Sequence, residues 1–236
     1  MAIRLVVFDV AGTTVHDGGG AVQRAMRDAI GATGLTLREG AMDGVTGMAK
    51  PQAIRTLLEG HGRDELLPRA DEIHDDFVAR MRRYYREDRG VVPVSGATAT
   101  FAALRSAGVR VALNTGFSRA ILDEILERLE WAGTDTPLDA TISSDEVPRG
   151  RPYPDMIDAL RTRLGGIAYT EVAKVGDTPV DLHEGAMARC GLVVGVLSGA
   201  HTLESLMQHP SDALIPSVAE LPNLLRDRGL MPNNKA

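Results

Sequence analysis

The stretch Ile3-Arg4-Leu5-Val6-Val7-Phe8-Asp9-Val10-Ala11-Gly12-Thr13-Thr14 decides the fold. An apolar run rich in β-branched residues that ends on an acid reads as a strand buried on both faces, as in the middle of a parallel sheet. Asp9 then stands at the strand's carboxyl end with a glycine turn just beyond, where open α/β sheets place their ligands. A carboxylate there, beside backbone amides freed by a glycine, suits a nucleophile or a metal ligand. An Asp that caps the turn is the equal alternative.

The rest of the chain tells what surrounds that strand. From Ala21 to Ala32, Val22, Met26, Ala29 and Ile30 recur at helical spacing, with Gly18-Gly19-Gly20 ahead as a hinge. Gly31, Gly34 and Gly40 interrupt the next segment. Thr46-Gly47-Met48-Ala49-Lys50-Pro51 leads into a helix over 52–58 with Pro51 at its start. Residues 64–88 interleave charges with apolar residues, as in one or two amphipathic helices. The stretch 20–90 therefore reads as all-helical. Beyond it the pattern alternates: helix 95–107, strand 109–113, helix 118–129, strand 140–142, helix 154–164, strand 172–175, helix 179–188, strand 192–196, strand 213–215 and a last helix to about Arg226. This is the signature of a doubly wound α/β parallel sheet. The expected layout is a Rossmann-like core of residues 1–18 and 92–236, with a helical cap of residues 19–91 inserted after the first strand. Gly18–Gly20 and Val91-Val92-Pro93 would be the hinges of this lid. Residues 231–236 are expected to be disordered.

Composition narrows the function. The 236 residues are 44% hydrophobic and 25% charged, ordinary for a globular protein, and a net charge of −6 leaves no general basic surface for nucleic acid or anionic lipid. The single cysteine, Cys190, excludes an intramolecular disulfide and reads as a buried structural thiol. No apolar run approaches the roughly 20 residues of a membrane span, and the chain enters its first strand with no signal-peptide layout. The expectation is a cytoplasmic protein acting on a small anionic molecule. The apolar face in residues 21–33 packs either on the core or on a second subunit of a homodimer.

Three further strand ends carry polar residues. Asn114-Thr115-Gly116 offers a hydroxyl and free amides just ahead of a helix, fit for an anion or for simple capping. Gly176-Asp177-Thr178, with Asp181 one helical turn on, adds acids that with Asp9 suit a hard cation such as Mg²⁺. Gly150-Arg151-Pro152-Tyr153-Pro154 holds an arginine between prolines, and Arg grips phosphate in a fork.

In this order the four segments resemble the motifs of the haloacid dehalogenase-like superfamily over nearly the whole chain. The resemblance implies a hydrolase whose Asp9 attacks phosphorus to form an aspartyl-phosphate. It places Mg²⁺ on Asp9, the Ala11 carbonyl, Asp177 and Asp181. Gly12, Thr13, Gly47, Thr115, Gly116 and Arg151 would lie against a phosphonate or phosphate substrate. Two departures narrow it. Most phosphatases of the superfamily have a proton-donating Asp where this chain has Ala11, and most have Lys where it has Arg151. Both changes resemble the phosphonatases, the phosphonoacetaldehyde hydrolases, which also need a cap lysine in a Gly-x-x-Lys segment; Gly47-Met48-Ala49-Lys50 is similar to it. The resemblance thus implies C–P cleavage with catalytic Asp9, Lys50 and Arg151. A protonated imine on Lys50 would absorb the electron pair that an oxygen-directed acid cannot. A helix N-terminus and a closed lid both favour the neutral amine this needs. The chain departs from that family at Ala53, where a His is usual, at Phe117, usually Tyr, and at Gly19, usually Cys. Water or His61 would then carry the proton transfers. The alternative is an O–P phosphomonoesterase whose leaving group needs no acid.

Overall fold

The computed structural model describes residues 1–16 and 18–232. Six strands, β1 (Leu5–Phe8), β2 (Arg110–Thr115), β3 (Ala140–Ser143), β4 (Val172–Gly176), β5 (Leu192–Val196) and β6 (Ala213–Ile215), form one sheet in the order β3-β2-β1-β4-β5-β6. Every pairing is parallel. Helices α1 (Ala21–Gly31), α2 (Lys50–Gly60) and α3 (Ala70–Glu87) lie between β1 and β2. After them come α4 (Ala97–Ser106), α5 (Arg119–Arg128), α6 (Asp155–Arg163), α7 (Pro179–Met187), α8 (Leu203–Leu206) and α9 (Leu221–Asp227). No helix among the described residues is long and apolar enough to cross a membrane.

The opening run is apolar throughout because both faces of β1 are covered. Val6 and Phe8 join the cluster that holds Phe101 and Leu104 of α4; Leu5 and Val7 join Met156, Ile157 and Leu160 of α6 on the other face. Register then sets the site. Phe8 pairs with Leu113 on one side and Val175 on the other, so Asp9, Asn114-Thr115 and Gly176-Asp177 emerge together at the carboxyl edge. This is where strand order reverses, the crevice of doubly wound sheets.

β2 runs two residues beyond the expected 109–113 and β4 one beyond 172–175, since Asn114, Thr115 and Gly176 are themselves paired in the sheet. α8 has no counterpart in the sequence pattern, because four residues are too few to show a period. Met231, expected in a loose tail, hydrogen-bonds through its N–H to Leu225 O (3.2 Å) and packs on the core. The remaining tail residues, 233–236, lie outside the described residues, as does Asp17.

Within the insert α1 packs on α3, and side-chain contacts hold the insert to the sheet domain at two places. The apolar face of α1, with Met26, Ala29 and Ile30, is buried in the same core cluster as Phe77 and Met81 of α3. Arg82 and Arg86 of α3 both pair with Glu124 of α5. Phe117, in the loop after β2, stacks on Phe77 and Tyr85 of α3, with ring centroids 6.5 and 5.9 Å apart. The two chain crossings run side by side: Val15 bridges Pro93, His16 N–H donates to Val92 O, and Val94 N–H to Thr14 O.

Candidate active site

Asp9 is 5% exposed, and its backbone N–H is tied to Val175 O (2.9 Å). The turn after it is held by Thr14, whose hydroxyl donates to Asp9 O (2.9 Å). A cavity of ≈ 60 Å³ opens above, lined from the core by Asp9, Ala11, Thr115, Gly116, Arg151 and Asp177. The inserted helices contribute Gly47, Lys50 and Ala53 among others.

Arg151 is anchored on every side. Nη1 donates to Asp9 Oδ1 (2.6 Å) and lies 2.9 Å from Asp181 Oδ1. Nη2 donates to the backbone and side-chain oxygens of Asn114 (2.7 and 2.6 Å), and Nε sits 3.2 Å from Glu184 Oε2. Burial works against its charge, but Asp181, Asp9 and Glu184 outweigh it and hold the guanidinium protonated. Arg151 is thus held by protein acceptors and orients Asp9, while it still lines the cavity where its fork was expected.

Behind it lies a buried network that is absent from the sequence reading. Lys174 Nζ, fully buried, donates to Asn114 Oδ1 (2.7 Å) and pairs with Asp181 Oδ1 (2.9 Å) and Glu184 Oε2 (3.1 Å). The Asn114 amide nitrogen donates to both oxygens of Glu184 (2.8 and 2.9 Å). A lysine inside the apolar strand Val172-Ala173-Lys174-Val175 and an acid three residues after Asp181 are the available signals; a buried charge requires a partner. Removing one member of such a network costs about 3–5 kcal/mol. Glu184→Gln is therefore expected to lower the unfolding free energy by about that amount, read from a urea titration.

The acids divide by surroundings. Asp181 has both oxygens committed, Oδ1 to Arg151 and Lys174, Oδ2 to the Thr178 N–H (3.2 Å) and hydroxyl. Burial pushes its carboxyl up, but Arg151 and Lys174 prevail and hold it below the usual range. Asp181 does not line the cavity directly, but its carboxylate lies beside those of Asp9 and Asp177 and orders the cations next to Asp9. Asp9 is raised by burial, with Asp181 adding to the rise, against the pull of Arg151. Asp177 is raised furthest, by burial and by Asp9 and Asp181. It accepts from Thr13 Oγ1 (2.9 Å) and Ala200 N–H (2.7 Å), which only partly offset the rise.

Ligand atoms of Asp9, Asp177 and Asp181 all fall within 4.8 Å of one another. A buried carboxylate crowded by two others fits a hard divalent cation, which would remove that repulsion.

Gly12 and Thr13, expected against substrate, are not among the cavity's lining residues. The Thr13 hydroxyl serves Asp177, and a Cβ at Gly12 would lie 2.5 Å from Asp177 Oδ2. Thr13 thus holds Asp177, and Gly12 leaves room for it. Thr115 and Gly116 do line it, and Thr115 Oγ1 accepts from Phe117 N–H (3.2 Å), leaving its own proton to donate.

Lys50 is the first residue of α2 and only 5% exposed. Its Nζ donates to Met48 O (3.0 Å) and lies 5.2 Å from the centre of the Phe117 ring. Burial, against the pull of Asp9, lowers its pKa to about 8. Gly47 makes this approach workable: its φ is +83°, and a Cβ would meet Val180 Cγ2 at 2.4 Å and Thr178 Oγ1 at 2.5 Å. Gly47→Ala is expected to destabilise by about 1–2 kcal/mol from the left-handed backbone alone, read as a lower melting temperature, and to shift Lys50 out of place. His61 does not reach the site. It caps the far end of α2, roughly 16 Å along the helix, where Nδ1 meets Leu57 O (2.7 Å) and Nε2 accepts from Arg38 N–H (3.1 Å).

A parallel sheet with a carboxylate at its switch point, cations and a hydroxyl around it and an inserted helical layer above is the architecture of an α/β hydrolase. The chain belongs to the haloacid dehalogenase-like hydrolase family, which it matches over residues 3–189. It is similar to the phosphonoacetaldehyde hydrolase of Bacteroides fragilis, with 30% identity over 93% of this chain and 87% of that protein. Among solved structures it is similar to a hydrolase from Pseudomonas syringae (TM-score 0.84, 19% identity, 95% of this chain and 98% of that one). A phosphonoacetaldehyde hydrolase-like protein from Oleispira antarctica also aligns (TM-score 0.81, 21% identity, 100% and 96%). At these identities the structural likeness is one of fold.

Proposed function

We propose that the protein is a Mg²⁺-dependent, phosphonatase-like hydrolase that cleaves the C–P bond of a small 2-oxoalkylphosphonate. The observation that carries this reading is Lys50: a buried amine of lowered pKa in the same cavity as Asp9, with Ala11 where an oxygen-directed acid would stand. The similarity to a phosphonoacetaldehyde hydrolase supports it.

Neutral Lys50 adds to the substrate carbonyl and water leaves, giving a protonated imine. Asp9, aligned by Arg151, attacks phosphorus. The C–P bond breaks, and its electron pair moves into the imine to form an enamine. The enamine takes a proton at carbon, and one water hydrolyses the resulting imine to free the carbonyl product. A second water cleaves the aspartyl-phosphate, releasing phosphate and restoring Asp9. Thr115 donates to a phosphoryl oxygen. Asp9, the Ala11 carbonyl, Asp177 and Asp181 would hold Mg²⁺, which would supply electrostatic shielding of the phosphoryl group.

Borohydride added during turnover of phosphonoacetaldehyde should leave a reduced adduct on the peptide that carries Lys50. No adduct, with phosphate release intact in Lys50→Ala, overturns the reading. The pH dependence comes from the sign of the shift. Imine formation needs the neutral amine, whose fraction rises from about 1% at pH 6 to about half at pH 8 for a pKa of about 8. The pH–rate profile of kcat/KM should therefore climb through neutrality and level off above pH 8.

A further inference from the structure

The cavity is chemically two-ended. Its core end carries Asp9, Arg151 and Asp177 with the Thr115 hydroxyl, the groups that meet the phosphoryl half of a substrate. Its other end is lined by Val22, Met26, Met42, Val45, Ala53 and the Phe117 ring. Among the described lining residues, Lys50 is the one cation the inserted helices contribute. Their polar contributions, Gln23 and Thr46, are uncharged, and the Thr46 hydroxyl is committed to Met42 O (2.8 Å). A carboxylate, a second phosphate or a run of hydroxyls at this end would meet, apart from the Gln23 amide, methyl and methylene groups, a strong ground for rejection.

Size points the same way. A cavity of ≈ 60 Å³ has room for about four to six water-sized groups. Ala53 governs how it is filled. It stands three residues after Lys50 on α2, so the two side chains share a helix face. Both residues line the cavity, so a group bonded to the Lys50 nitrogen occupies space that the Ala53 methyl borders.

Resting on the reading of Lys50 as the imine-forming amine, we infer that the site takes an oxoalkylphosphonate whose carbonyl carries hydrogen or a short, uncharged alkyl group, with Ala53 setting the length admitted. The chemistry balances as for the aldehyde. 2-Oxopropylphosphonate and water give acetone and phosphate, the new C–H bond replacing the broken C–P bond.

The test compares kcat/KM for phosphonoacetaldehyde, 2-oxopropylphosphonate, 2-oxopentylphosphonate and 3-phosphonopyruvate, with borohydride trapping on each. The aldehyde and the methyl ketone should both be cleaved, and the carboxylated substrate should be poorer by about 100-fold or more. Ala53→Leu should lower the ratio of methyl ketone to aldehyde by about tenfold, a ratio in which the intrinsic reactivities cancel. Met42→Ala works in the opposite direction and removes bulk; it should raise the relative kcat/KM of the pentyl ketone by about fivefold or more. Cleavage of 3-phosphonopyruvate within tenfold of the aldehyde, or ratios unmoved in both variants, overturns this inference while leaving C–P cleavage standing. If none of the four substrates forms a Lys50 adduct or releases phosphate, the C–P reading itself falls.

Discussion

Lys50→Ala is expected to abolish phosphate release from phosphonoacetaldehyde, with kcat falling by about four orders of magnitude, roughly 5 kcal/mol of transition-state stabilisation. Attack on phosphorus in a phosphonate expels carbon, and without an imine the electron pair has only a carbonyl to accept it. Ala11 cannot substitute, because its side chain carries no proton. The same variant should hydrolyse an acyl phosphate such as acetyl phosphate nearly as well as the parent, since an oxygen leaving group makes no demand on the amine. Steady-state phosphate release on both substrates separates the two chemistries. Retention of phosphonate cleavage within tenfold in Lys50→Ala would exclude the imine.

Asp9→Asn should be more damaging still, by the order of 10⁵-fold on every substrate, as when a covalent nucleophile is lost. Its effect on stability should run the other way. The Asp9 carboxyl is raised by burial and by Asp181, so its ionised form is held in place at the expense of the fold. A group whose folded pKa lies above its unfolded one destabilises the native state as pH rises through that range. Replacing it with an amide removes the penalty, although Arg151 loses an ionic partner. The melting temperature at pH 7.5 should stay within a few degrees of the parent or rise, while activity vanishes. A variant that unfolds would point to a structural Asp9, and one that keeps activity would overturn its role as nucleophile.

The strands and the meeting of Asp9, Thr115 and Asp177 are readable from sequence because each depends on a local pattern: a short apolar run, then a polar residue and a glycine. Parallel register does the rest. The direction in which Arg151 points is not readable. A Pro-bounded arginine announces a held guanidinium, but the acceptors that hold it come from Asp9, Asn114, Asp181 and Glu184, distant in sequence. Lys174 and Glu184 are hidden for the same reason, each explained by partners distant in sequence, among them one another across the β4–α7 layer. Gly12 and Thr13 face Asp177 because the segment carrying Ala200 folds back over the turn, a long-range event that no spacing encodes. His61 comes after Lys50 on the same helix in sequence, but helical rise carries it to the opposite end.

The paired crossings at Val15–Pro93 have a consequence for descent as well as for motion. Because the excursion from the sheet leaves and returns at one point, its content is topologically independent of the strands. It can lengthen, shrink or be exchanged between relatives without disturbing the register of β1, β2 and β4, and therefore without moving Asp9. Selection on substrate can then act on one module while the carboxylate site is inherited intact in the other.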